Sequence, residues 1–352
     1  MSDRSHNRKV RGSKIRASRK EKQQKSRRQE QKEIDRLEKQ KASKGQSQQA
    51  RKTVPLDTTF ISSEHAFIET DEVNRLRHRV ERWLKAGRPT HLIGPTGCGK
   101  TALAMYIARE RDRPVVWING DADLTTSDLI GDYAEKEKIS EHDKYIHNVL
   151  KSKEVVRDRW VDNPLTIAAK EGATLVYNEF SRTKPIANNV LLSVFEEGVL
   201  ELPGQHGESR YVDVHPEFRA ILTSNSVEYA GVHKPQDALL DRLIGIYMDF
   251  YDAETEAEIL RTHLDEDELS DDRITEIVTL IREFRERLDI TVGTRAAIMI
   301  GEGVSVVEDP TQAELAEICV DVLTSKVSEY SEVEALHRDI EDTIQETEVS
   351  IS

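Results

Sequence analysis

The chain has 352 residues, 33% of them charged, and a formal net charge of −14, a length that admits a core domain and a smaller second one. Two cysteines exclude a disulfide framework and suit a reducing cytosol. No apolar run reaches the ~20 residues of a membrane span, the N-terminus has no apolar signal-peptide core, and eleven scattered histidines, without an H-E-x-x-H or a Cys/His cluster, leave no zinc site. A cytoplasmic chain with no membrane span is expected.

The charge is uneven. Residues 1–52 hold 19 Lys and Arg against 6 Asp and Glu, a balance of +13; the other 300 hold 32 against 59, a balance of −27. A body this acidic stays soluble at high salt, as in a salty cytoplasm. The basic tail is low-complexity Lys, Arg, Gln, Ser and Glu, with too few apolar residues for a core, and is expected to be disordered. Parts of residues 19–41 would support a solvated helix, with Glu21–Lys25 and Asp35–Lys39 at i,i+4. Either a solubilising extension or an electrostatic arm fits this composition. Without aromatic interleaving or a nucleic-acid motif, nucleic acid is not the expected partner.

From about residue 55 the pattern turns globular. Val73, Leu76, Val80 and Leu84 share one face of a helix predicted over 73–86. Thr90 to Ile93 is predicted as a short buried strand, and Gly94-Pro95-Thr96-Gly97-Cys98-Gly99-Lys100-Thr101 follows it. Those eight residues match G-x-x-x-x-G-K-[ST] at every fixed position. Glycines let the backbone turn tightly and bring its amides to phosphate oxygens at the start of the next helix, 102–108. Lys100 is placed to reach the β- and γ-phosphates, and the Thr101 hydroxyl to bind Mg²⁺. The expected ligands are therefore ATP and Mg²⁺. Cys98 reads as a small filler of the loop.

Further short apolar strands are predicted at 114–118, 173–177, 219–224 and 244–250, with a helix over 187–195 and a hairpin around Gly204–Gly207. Strands alternating with helices imply a parallel sheet covered on both faces. The third strand ends Asn178-Glu179, where P-loop ATPases carry an acid for Mg²⁺ and then an acid that orients water. Glu179 occupies the place of the water-orienting group. Asn178 occupies that of the metal carboxylate, and supplies an acceptor without charge. After Asp252 the strand pattern stops, and helices are predicted at 253–264, 271–288, 294–306 and 311–327, then a charged helix or frayed tail over about 332–348. Four segments follow: a tail, 1–52; an α/β nucleotide-binding domain, 53–252; a smaller all-helical lid, 253–330; and an acidic C-terminal helix or tail, 331–352.

The order of motifs resembles the AAA+ ATPases, and within them the MoxR branch. Asn178 to Glu197 resembles that branch's Walker B strand end and following helix. Thr223-Ser-Asn225 resembles sensor 1, Ala238-Leu-Leu-Asp-Arg242-Leu the arginine-finger segment, and Gly293-Thr-Arg295-Ala-Ala sensor 2. Residues 55–330 resemble more closely the GvpN family of gas vesicle proteins, through Phe67-Ile-Glu-Thr70, His91 to Thr101, Ser127 to Gly131, Leu175 to Arg182, Asn188 to Val194 and Thr223 to Gly231.

The resemblance implies a P-loop AAA+ fold, a three-layer αβα domain followed by a helical lid, and a cytoplasmic ATPase that acts in gas vesicle assembly or enlargement. Implied partners are gas vesicle structural and accessory proteins, with contact at the vesicle surface, and further copies of the chain in a hexameric ring. Glu179 would position the attacking water and Asn225 help hold it, Arg295 would contact the γ-phosphate from the lid, and Arg242 would reach a neighbour's site. Asn178, where the Walker B pattern has Asp, keeps open an ATP-binding assembly factor with little hydrolysis. A MoxR-type chaperone for another client is a further reading.

Overall fold

A computed structural model describes residues 67–142, 152–225, 233–264, 269–327 and 329–347. The basic tail, and the helix expected within residues 19–41, lie outside the described residues.

Five short strands form one parallel sheet: β1 Thr90–Gly94, β2 Val115–Asn119, β5 Thr174–Asn178, β8 Arg219–Asn225 and β9 Ile244–Tyr247, ordered β2-β5-β8-β1-β9. Successive strand residues face opposite layers, and here both layers are apolar. Leu175, Tyr177, Ala220 and Leu222 join one core with Leu165, Leu191 and Leu200; Val176 and Ile221 join the other with Val80, Leu103 and Ile107. A strand buried on both faces needs a covered, parallel sheet. The covers on the second side are α1 Asp71–Lys85, capped by Thr70 and turning Val73, Val80 and Leu84 inward, and α2 Lys100–Glu110. On the other lie α3 Thr126–Ile130, α4 Pro164–Glu171, α5 Pro185–Asn188 and α6 Val190–Glu196.

Two departures from the sequence reading and one resolved alternative matter. The helix expected over 187–195 is two short ones. At the end of the first, Asn188 is buried, its amide donating to Phe180 O (3.1 Å) and its Oδ1 accepting from the Tyr177 hydroxyl (3.0 Å). A two-stranded antiparallel hairpin, β3 Gly131–His142 with β4 Ser152–Asp162, was not expected. Its base meets the expected hairpin, β6 Val199–Glu201 with β7 Tyr211–Asp213: Tyr133 packs edge-on against Trp160 and donates its hydroxyl to Gly204 O. Finally, of the two readings of the charged C-terminal segment, helix or frayed tail, the helix is the one found, and it packs on the helical core. α12 Tyr330–Glu346 buries Leu336, Ile340 and Ile344, four residues apart on one face.

Beyond α7 Asp237–Leu240 and β9, the described residues are helical: α8 Ala253–His263, α9 Asp271–Arg287, α10 Thr294–Ser305, α11 Gln312–Leu323 and α12. They share their own core, with Ile277, Ile281 and Phe284 of α9 against Ala297 and Ile300 of α10 and Leu315 and Cys319 of α11. Among the described residues no helix is long and apolar enough to cross a membrane.

Candidate functional site

The carboxyl ends of β1, β5 and β8 meet where the parallel sheet opens towards the helical segment, the usual ligand position in open α/β sheets. Register sets this: Gly94 is opposite Asn225, and Asn178 is opposite Asn119.

From Gly94 the loop turns into α2 through two left-handed glycines, Gly97 (φ 83°) and Gly99 (φ 88°), which a side chain would strain. A Cβ on Gly94 would lie 2.1 Å from Met248 O, so the loop's first residue is fixed by contact with the chain after β9. Lys100, buried at the first turn of α2, donates its Nζ to Gly94 O (3.1 Å) and Pro95 O (2.6 Å), which holds the ammonium over the loop. Cys98 is fully buried, and burial pushes its thiol pKa up, as befits a packing residue rather than a reactive thiolate.

Thr101, Asn178 and Thr223 form a compact polar centre. The Thr101 hydroxyl donates to Asn178 Oδ1 (2.7 Å), the Thr223 hydroxyl donates to the same oxygen (2.9 Å), and Asn178 Nδ2 donates to Asn119 Oδ1 (2.8 Å). Beside it Glu179 adopts φ 52°, ψ 38°, and is the one non-glycine residue with positive φ among the described residues. Such backbone persists only where its surroundings fix it. Here Glu179 N donates to Thr223 Oγ1 (3.1 Å), and Asn225 Nδ2 donates to both carboxylate oxygens (2.9 and 3.0 Å). Asn225 therefore touches the acid directly. Burial raises the pKa of this carboxyl above its ordinary value, opposed by the charges of Lys100 and Arg182 and by the Asn225 hydrogen bond.

A cavity of about 470 Å³ opens over these groups. Of the predicted residues, Thr96, Gly97, Gly99, Lys100, Thr101, Asn178, Glu179, Asn225 and Arg295 line it. Gly94, Pro95 and Cys98 shape the loop behind. Arg242 is elsewhere: its Nε donates to Glu196 on α6 (2.9 Å), its Nη2 pairs with the same carboxylate and its Nη1 donates to Ala238 O. The cavity also has an apolar lining, with Phe67, Ile68, Val73, Tyr251, Ile259 and Ile298. Phe67 is held by stacking on Tyr106 of α2 at 3.9 Å. Sequence reasoning placed none of these residues in the site, reading Val73 only as a core-facing helix residue and Phe67-Ile68 only as part of a family resemblance, because they come from three distant segments with ordinary apolar patterns.

Glycine-loop amides together with an apolar wall suit a nucleotide. Thr101 and Asn178 offer neutral hard oxygens, and among the described residues no three His, Cys, Asp or Glu cluster as a metal site. This donor set fits a Mg²⁺ shared with phosphate oxygens, which keeps most of its ligands from substrate and water, rather than a metal caged by protein.

The fold and the loop define an AAA-class P-loop ATPase, and residues 89–243 match the family model of the AAA domain, dynein-related subfamily. The chain is 66% identical to the gas vesicle ATPase GvpN1 of Halobacterium salinarum and 65% identical to the gas vesicle ATPase GvpN of Haloferax mediterranei, each match covering 100% of both chains. It is 43% identical to the gas vesicle ATPase GvpN of Ancylobacter aquaticus over 78% of this chain and 77% of that one. The chain belongs to the gas vesicle ATPase GvpN family, and it is an ATPase.

Proposed function

We propose that the protein binds ATP with Mg²⁺ at Gly94 to Thr101, hydrolyses it with Glu179, and spends the cycle on remodelling gas vesicle proteins as a cytoplasmic ring. As a member of its family it serves gas vesicle formation as an AAA ATPase. The observation that carries the catalytic reading is the Glu179 carboxylate, oriented through both oxygens by Asn225 and beside the Thr101–Asn178 pair.

The loop amides and Lys100 hold the phosphates, and the apolar wall from Phe67 to Tyr251 takes the base. Thr101 and Asn178 would hold the Mg²⁺, which when bound neutralises charge on the phosphates. Glu179 accepts the proton of the attacking water as its oxygen bonds the γ-phosphorus and the bond to the β-γ bridging oxygen breaks, giving ADP and phosphate. Arg295, exposed on the cavity wall, meets the γ-phosphate. Arg242, outside its own chain's cavity, serves the site of the next subunit in a hexamer. Gas vesicle structural and accessory proteins are the clients, met at the vesicle surface.

Phosphate release by the full chain in molar KCl tests this. Lys100→Ala should lose ATP binding. Glu179→Gln should keep binding while turnover falls by about 10²–10⁴-fold, the usual worth of a general base. Binding retained in the Lys100 variant, or turnover retained in the Glu179 variant, would remove the assignment.

A further inference from the structure

Below the cavity, Glu256 of α8 is 1% exposed, yet ionisable. A buried carboxylate must be paired and hydrogen-bonded to be tolerated, and this one has four donors. Arg285 of α9 grips it through Nη1 (2.9 Å) and Nη2 (2.5 Å), Arg282 adds Nη1 at 3.3 Å, and the Thr294 hydroxyl, in the first turn of α10, donates at 3.0 Å. The two arginines are fixed in turn. Arg285 Nε donates to Val292 O (2.6 Å), its guanidinium lies 4.1 Å from the centre of the Phe250 ring, and Arg282 Nη1 also donates to Tyr251 O (3.1 Å). One carboxylate therefore ties together α8, α9, the start of α10 and the strand-to-helix connection at 250–251.

The Thr294 end of this network reaches the P-loop. Thr294 N donates to Gly97 O (3.1 Å). The backbones touch there: a Cβ on Gly293 would fall 2.7 Å from Thr96 O and 3.0 Å from Gly97 Cα. The residue after Thr294 is Arg295, on the cavity wall. The first turn of α10 thus sets both the Gly97 carbonyl and the place from which Arg295 starts, and Glu256 sets that turn.

We infer that Glu256, acting through Thr294, is a positioning residue for the phosphate end of the nucleotide site. This rests on the reading that the P-loop binds ATP. Loss of the Thr294–Glu256 bond weakens a contact present in bound substrate and transition state alike, so it should appear in KM rather than kcat.

The test uses the full chain in molar KCl. Thr294→Val, of nearly the same shape, should raise the KM for ATP about tenfold, the worth of a hydrogen bond to a charged group. Its kcat should change far less than its KM, and its melting point without nucleotide should fall by a few degrees for the hydrogen bond lost to a buried charge, while the rise in melting point on adding ATP shrinks as well. Thr294→Ser, which keeps the hydroxyl, should restore both readouts. Glu256→Gln should raise KM as well, and its effect should not add to that of Thr294→Val. If Glu256→Gln does not fold, the Val and Ser pair decides. Wild-type KM and ATP response in Thr294→Val, with ATP binding still abolished by Lys100→Ala, would overturn the inference and leave the nucleotide site standing. A wild-type chain that binds no ATP would overturn both.

Discussion

Asn178 shows how a single amide can suit a place where an acid is expected. Its oxygen accepts two hydroxyls, Thr101 and Thr223, and its nitrogen donates to Asn119. Asn119 is itself an amide that, turned over, would donate to a carboxylate, so this pair accepts either group and the change at 178 is one of charge rather than of hydrogen bonding. Negative charge at the site is left to Glu179 and the phosphates. The state of Glu179 should then govern the acid side of the pH profile. Burial raises its pKa above the ordinary 4.5, so the proton leaves at higher pH than from a free glutamate. Since only the ionised form accepts a proton from water, kcat/KM should fall with acid at a pH above that ordinary value. The Asn225 hydrogen bond stabilises the charged form. Asn225→Ala should lower turnover and move this limb to still higher pH, read from kcat/KM across the acid range. A limb unmoved, or moved to lower pH, would show that Asn225 does not set the acid.

At the scale of elements, the catalytic strand end is held from its neighbour β2. Gly120, just after that strand, donates its N–H to Asn178 O (2.7 Å), and a Cβ there would stand 2.1 Å from Glu179 O and 2.7 Å from Glu179 C. These are backbone atoms with no side chain to swing aside. Gly120→Ala should push the left-handed Glu179 out of place and lower kcat about 10²-fold, the scale of an ångström-sized misplacement. ATP affinity should fall less than kcat, because the P-loop follows β1, three strands from β2 in the sheet, and meets this strand end through the Thr101–Asn178 bond. A matching loss of affinity would mean the whole strand end had shifted. Gly120 also marks where the sequence stops being readable. The P-loop and the ends at Asn178 and Asn225 could be found in one dimension, since their chemistry is written in contiguous residues after apolar strands. Gly120, Tyr251 and Glu256 matter through contacts made only on folding, and each looks ordinary in its own segment. The β3–β4 hairpin escaped because its strands are mostly charged and lack the two-residue alternation that marks a half-buried strand. The last helix was half-legible: three apolar residues at four-residue spacing are a narrow stripe among charges, and only the core of α9 to α11 makes them a buried face.

At the scale of the molecule, the described chain supplies a cavity with an acid, a lysine and Arg295, but holds Arg242 away from it. The Glu196 pair fixes that guanidinium in a partly exposed position, with side-chain exposures of 28% for the arginine and 57% for the glutamate. An exposed ion pair is worth little in stability, so a role for Arg242 in folding alone predicts that Arg242→Ala leaves turnover near wild type. A role across a subunit boundary predicts a loss towards the ~10³–10⁵-fold worth of an arginine finger, with ATP still bound. Mixing separates the remaining possibilities. A Lys100→Ala subunit has no working P-loop but keeps its Arg242, and an Arg242→Ala subunit has a working P-loop but no finger. If the arginine acts on the neighbour, the two inactive variants together should recover turnover that neither has alone, because some sites then pair an intact P-loop with an intact Arg242. If it acts only through Glu196 within its own chain, every P-loop in the mixture either lacks its lysine or sits in a chain without the arginine, and the mixture stays inactive. Recovery on mixing would also require contact between subunits during turnover, which ties the proposed ring to the chemistry by a measurement of phosphate release alone.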